Sequence, residues 1–245
     1  IDQLVQCVYD TRQPVRLGAV VALARIQAPQ LGSFLNDMDA QVVTEAARGL
    51  YENSDKESMR YLAGLGSNRY VTSGTRRYAV AASFRLGGLP EAKTVLAVAA
   101  DHTVSEDVRV EAMNALMAWR NPSDVDRLSG KYRPVEKRPV FDFTEHFSQC
   151  LQELFSGTER VKIKAAGLVT FFEVEAAIDL LRASVNDVEE EPDVRAASLK
   201  ALFGLHDSAL KSQIGELVRD GNAAVRKVAR TILAAMNPAE AVAEA

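Results

Sequence analysis

Seven segments of this sequence repeat one pattern, and that repetition constrains the fold more than any other feature. Aligned to V-R-x-x-A-x-x-A-L, they begin at Val15, Val42, Thr75, Val108, Val161, Val194 and Val225. The second place is basic in six of them: Arg16, Arg76, Arg109, Lys162, Arg195 and Arg226, with Val43 the exception. The fifth is small throughout: Ala19, Ala46, Ala79, Ala112, Ala165, Ser198 and Ala229. The ninth is apolar except at Ser83, and the twelfth runs Ile26, Asn53, Leu86, Trp119, Phe172, Leu205, Met236. Apolar places one, five, eight, nine and twelve form one stripe of a 3.6-residue helix, with the basic second place off that stripe. A small residue at place five lets two helix backbones approach closely.

Successive starts lie 27, 33, 33, 53, 33 and 31 residues apart. A period near 33 holds one helical hairpin, two helices of about a dozen residues with turns. The second helix of each hairpin is the repeated segment. The first is less uniform: "IDQLVQCVYD", "APQLGSFLND", "KESMRYLAGL", "PEAKTVLAVAAD", "TEHFSQCLQELF", "VEAAIDLLRASVND" and "DSALKSQIGELVRD". Helix-start residues precede or open the repeated segments: Asp39, Ser105, Asp107, Thr158, Asp193 and Asn222, with Pro14 and Pro192 suited to first turns. No stretch alternates apolar and polar residues as a strand does. The fold class read from this is all-α, an α-solenoid of about seven helical hairpins, a single array over residues 1–245 with a frayed tail at 237–245.

The gap of 53 holds a proline-containing insertion at 121–142, "NPSDVDRLSGKYRPVEKRPVFD". Loops of this length in a compact array are uncommon and often functional. Val125, Leu128, Tyr132, Val135, Val140 and Phe141 offer apolar groups to pack it on the array. Arg127, Lys131, Tyr132, Arg133, Lys137 and Arg138 make it the candidate interaction surface; the alternative is a structural cap over the wide gap between hairpins four and five.

The hairpin whose second helix opens with Asp or Asn followed by V-R-x-x-A-x-x-A-L resembles the HEAT-repeat family over nearly the whole chain. The resemblance implies a curved stack with the second helices on the inner side. It also implies that Arg16, Arg76, Arg109, Lys162, Arg195 and Arg226 belong to a hydrogen-bond ladder between repeats, with Asp as the partner. Val43, Thr75 and Ser83 depart from the pattern. "WRNPSDVDRLSGKYRP" at Trp119–Pro134 is similar to an insertion of large bacterial proteins. Those join a sugar-dehydrogenase-like β-propeller, a HEAT array and a c-type haem domain. That resemblance implies a segment of a multidomain protein, exported or periplasmic; without it the expectation is cytoplasmic. A chain opening on Ile1 within a helix-like stretch fits a segment, and no signal peptide is visible.

The chemistry looked for is sparse. The chain has 245 residues, a formal charge of −4 and three histidines. His102, His146 and His206 do not recur in phase with the repeat. An iron-dependent hydroxylase built on HEAT repeats carries His-Glu pairs as ligands; no His-Glu dipeptide occurs here. Gly64–Gly74 lacks the phosphate-loop pattern and reads as a turn. Asp187, Glu189, Glu190, Glu191 and Asp193 lack the ligand spacing of a calcium loop and read as a solvated turn. Cys7 and Cys150 have no metal-ligand spacing and read as part-buried thiols, with a disulfide not selected. No apolar run approaches the ~18 residues a membrane helix needs. No catalytic, cofactor or metal residue is assigned, and no small-molecule ligand is expected. The function read from these features is a non-catalytic scaffold binding protein or neighbouring domains of the same chain. The alternative is a solenoid enzyme or binder acting on nucleic acid, like HEAT-like DNA glycosylases, through the basic column. The negative charge and single tryptophan weigh against it.

Overall fold

A computed structural model describes residues 1–53, 55–136, 138 and 142–236. The seven repeated segments form seven helices. The expected tail at 237–245, Lys137, Val140 and Phe141 lie outside the described residues. The chain divides into two compact units, Ile1–Phe141 and Asp142–Ala245.

The first unit holds four hairpins. Hairpin one pairs α1 (Asp2–Gln6), extended by a 3₁₀ turn Cys7–Tyr9, with α2 (Gln13–Arg25). Hairpin two pairs a 3₁₀ segment Pro29–Asn36 with α3 (Ala40–Asn53). Hairpin three pairs α4 (Lys56–Gly64) with α5 (Ser73–Leu86), and hairpin four α6 (Leu89–Ala100) with α7 (Glu106–Met117). In the second unit, α8 (Thr144–Ser148) and α9 (Leu151–Phe155) precede α10 (Glu159–Phe171). A 3₁₀ turn Glu175–Ala177 and α11 (Ile178–Asn186) precede α12 (Pro192–Gly204), and α13 (Leu210–Leu217) precedes α14 (Ala223–Met236). Two first helices differ from the sequence reading. "APQLGSFLND" is 3₁₀, with Pro29 and Gly32 poor helix formers, and "TEHFSQCLQELF" is two short helices.

Within the first unit α2, α3, α5 and α7 pack in succession; within the second, α10, α12 and α14 do. Each also packs on the first element of its hairpin. The small fifth place is buried in all seven, which allows this close stacking. Each hairpin alone would bury too little apolar surface to offset its ordering entropy, so the stack supplies the core. Every unit is thus an all-α, solenoid-type stack; among the described residues the only β feature is one bridge, Val125–Tyr132.

Local chemistry fixes the helix ends. Asp39 Oδ1 accepts the amides of Gln41 and Val42, Thr72 that of Thr75, and Asn222 that of Ala224. Asp107 and Asp193 lie inside first turns, where a carboxylate favours the positive helix end. At the other end, the residue at the thirteenth place is left-handed: Gln27, Gly87, Glu173 and His206. The amides of Ala28, Val174 and Asp207 then reach back to Leu23, Val169 and Leu202, which satisfies carbonyls the helix would leave open.

Candidate interaction surface

Two sets of charged residues stood out in the sequence, the basic column and the insertion. The column, off the apolar stripe, is nevertheless buried: Arg16, Arg76, Arg109 and Arg195 are only 4–6% exposed. A buried guanidinium must have its donors satisfied, and here two kinds of acceptor do so. One is a carbonyl where the first helix of the same hairpin ends. Arg16 donates to Asp10 O (2.9 Å), Arg76 to Asn68 O (2.7 Å), Arg109 to Ala99 O (2.8 Å), Arg195 to Val185 O (3.0 Å) and Arg226 to Asp220 O (2.7 Å).

The other acceptor is an acid in the turn of the next hairpin. Arg16 Nε meets Asp37 at 2.7 Å, Lys162 meets Glu190 at 2.7 Å, and Arg195 meets Asp220 at 2.7 Å. Arg76 and Asp101 stand 3.9 Å apart. The Arg195 bond holds the Asp220 carboxyl below its usual range. Arg182 does the same for Asp207, a further link between hairpins that the sequence pattern did not single out. Glu190 was read as part of a solvated acidic turn; it is a rung.

The described part of the insertion packs on hairpins two to four. A tight turn closes where Asp126 N donates to Lys131 O and Gly130 N to Asp126 O, both at 2.8 Å, with Gly130 at φ 68. Only a residue tolerant of positive φ suits that place. Asp126 Oδ1 accepts the amides of Leu128 (3.1 Å) and Ser129 (2.7 Å) and the Ser129 hydroxyl (2.9 Å). Its Oδ2 accepts the Tyr51 hydroxyl of α3 at 2.5 Å and Arg85 Nη1 of α5 at 3.3 Å. Burial pushes the Asp126 carboxyl up, but these bonds outweigh it and hold the group below its usual value. Burial and the Asp126 bond push the Tyr51 phenol far up.

Of the six candidates, two are anchors. Arg133 lies over the Tyr51 ring, 5.1 Å from its centroid, and donates to Tyr51 O at 3.0 Å. Arg138 sits against the rings of Phe84 (4.1 Å) and Trp119 (4.8 Å) and donates to the carbonyls of both residues. Burial lowers its pKa to about 10. Arg127 pairs with Glu111 of α7 (3.0 Å), and Lys131 with Glu52 of α3, both at the surface. Tyr132 projects, 74% exposed. Lys137 is outside the described residues. Beneath the turn a cavity of about 30 Å³, lined partly by Val80, Phe84, Ala115 and Leu128, is on the scale of a water or two and not of a drug-sized ligand. Sequence reasoning missed Tyr51 and Arg85 as the insertion's partners. Their aromatic and basic side chains at places ten and eleven were its only trace.

The remaining candidates stay dispersed. Among the described residues no group of three or more His, Cys, Asp or Glu is placed to hold a metal ion, and no helix is long and apolar enough to cross a membrane. Cys7 and Cys150 are free thiols, and burial pushes that of Cys150 up to about 12.

Within each unit, stacked hairpins tied by cation–acid pairs define an all-α repeat fold of the solenoid type. No protein-family model matches the sequence, and none of the curated proteins matches it. Among solved structures it is similar to human deoxyhypusine hydroxylase in complex with glycerol, at 18% identity over 95% of this chain and 94% of that one, TM-score 0.43. It is also similar to two engineered proteins. One shares 18% identity over 95% of this chain and 67% of that one, TM-score 0.47. The other shares 16% over 95% and 94%, TM-score 0.30.

Proposed function

We propose that this chain is a non-catalytic scaffold whose partners are proteins or neighbouring domains of the same polypeptide. The observation that carries the reading is the burial of the basic column. Four of its arginines are spent on carbonyls and on acids between hairpins, so they are not free to meet phosphate. Sequence-independent binding of nucleic acid needs accessible cations that release counterions, and the binder then weakens steeply with salt. The insertion supports the same reading, because its two most buried arginines brace the stack.

The test is a titration of the intact chain with fluorescent single- and double-stranded oligonucleotides at ~50 mM salt, a concentration at which phosphate contacts are strong. No saturable binding is expected. Saturable binding whose affinity falls linearly with salt on logarithmic axes would return the glycosylase-like alternative. The likeness of Trp119–Pro134 to an insertion in bacterial propeller–HEAT–haem proteins extends the proposal to a segment of such a multidomain protein. The surrounding coding sequence tests that extension: a β-propeller or a CxxCH segment in frame supports it, and a reading frame with neither overturns it.

A further inference from the structure

A cation withdrawn from water needs an acid close by, and a cleft that gathers cations without acids focuses a positive potential into its space. In the first unit most cations have their acid: Arg16, Arg76, Arg77, Arg127 and Lys131 each face one. An open cavity of about 410 Å³ is different. It lies where α4, the turn between α5 and α6, and the insertion meet. Three cations line it: Lys56 in the first turn of α4, Arg85 of α5 and Arg138 of the insertion. Among the described residues a single acid lines it, the exposed Glu136.

The donors on the cavity side are not used up. Arg85 spends only Nη1, on Asp126 and on Arg133 O. Among the described residues no acceptor meets its Nε or Nη2, and no carboxylate meets Lys56. Arg138 gives Nη1 and Nη2 to the carbonyls of Trp119 and Phe84, which fix the guanidinium without cancelling its charge. Burial, and then the nearby charge of Arg85, pull its pKa down, so two guanidiniums share this corner. The seat of Arg138 depends on Gly87: a Cβ there would stand 2.8 Å from its Nε. Met59 and Val135 give the cavity an apolar wall.

We propose that this cavity binds a phosphate-bearing small molecule. Its phosphoryl oxygens accept from Nε and Nη2 of Arg85 and from Lys56, with Arg138 as a fixed positive charge behind them. Its organic body lies on Met59 and Val135. The planar fork of a guanidinium suits two oxygens of one phosphoryl group, and an ammonium suits a third as a point charge. The volume falls within the range of small-molecule sites, which leaves room for the body beside the phosphoryl group. These donors hold one phosphoryl group, whereas a nucleic-acid backbone needs a row of accessible cations. The site therefore goes beyond the scaffold reading and does not depend on it.

The probes are phenyl phosphate and inorganic phosphate, titrated into the full chain by calorimetry at constant ionic strength. Saturable binding at one site is expected, with phenyl phosphate the tighter because only it has a body for the apolar wall. Lys56→Glu should weaken phenyl phosphate roughly tenfold or more, the effect of losing one charged hydrogen bond. Glu136→Gln removes the opposing acid and should tighten it. Lys200→Glu makes the same charge change on α12 of the second unit and should leave the affinity as it was. All three positions are exposed, so each variant should keep the circular dichroism of the parent chain. No saturable binding of phenyl phosphate by the folded chain overturns the proposal. So does equal weakening by Lys56→Glu and Lys200→Glu, the mark of diffuse attraction. Tighter binding of inorganic phosphate than of phenyl phosphate overturns it as well.

Discussion

Replacing Asp126 by Ala tests whether the insertion is a brace. The side chain is 2% exposed and accepts five hydrogen bonds, two of them from hairpins two and three. Removing one member of a buried ion pair costs about 3–5 kcal/mol, because the other charge is left unpaired. Arg85 keeps some exposure and its bond to Arg133 O, so the expected loss is at the low end, about 3 kcal/mol. Tyr51→Phe removes a single bond to a charged acceptor and should cost about 1.5–3 kcal/mol. Lys131→Ala and Arg127→Ala break surface pairs and should each cost under ~1 kcal/mol. Urea unfolding followed by the fluorescence of Trp119, the sole tryptophan and one that lies in the same unit, reads all four. The pH dependence has a definite sign. The folded-state carboxyl titrates below its ordinary 3.8, so its contribution is present at neutral pH and is lost as pH falls through the folded value. Asp126→Ala should flatten that acid limb. A loss below ~1 kcal/mol, no larger than for the surface pairs, would refute the brace.

Three other outcomes follow from the same geometry. Ala112→Arg forces a long charged side chain into a fully buried contact between second helices, so the melting temperature should fall by many degrees or folding should fail; an unchanged value would contradict the stacking. Arg195→Ala leaves Asp220 without its partner from the preceding hairpin and should cost roughly 3 kcal/mol by chemical denaturation, whereas Arg226→Ala, whose bonds are to turn carbonyls of its own hairpin, should cost about 1 kcal/mol. The Cys150 thiol, at about 12 against an ordinary 9.0, should react with iodoacetamide at pH 8 roughly 10³-fold more slowly in the folded chain than in guanidinium; similar rates would mean that it is not buried.

The hairpin order was legible in the sequence because each second helix must bury the same places against the same kind of neighbour. The insertion's destination was not. Its anchors, Tyr51 and Arg85, sit at places ten and eleven of two different copies, so no period points to them. The burial of the second place was not legible from periodicity: a 3.6-residue stripe describes a helix with one buried side, whereas α5 and α12 are packed between two neighbours and their arginines lie within a contact. The acid partners carried a signal in Asp37 and Asp220, both five residues ahead of the pattern, but Asp101 and Glu190 are offset differently. The candidate surface mixed anchors with exposed groups because length and charge do not tell a guanidinium over a ring from one in water.

In a stack whose members touch only their immediate neighbours, the middle one can melt while those beside it stay folded. The insertion grips α3 through Lys131 and Arg133, α5 through Arg138 and α7 through Arg127, so it strings a tether past hairpin three from two to four. Opening hairpin three therefore strains a covalent strap fastened on both sides of it. That converts three serial links into one mechanical block, and a pull along the chain should meet its stiffest resistance there.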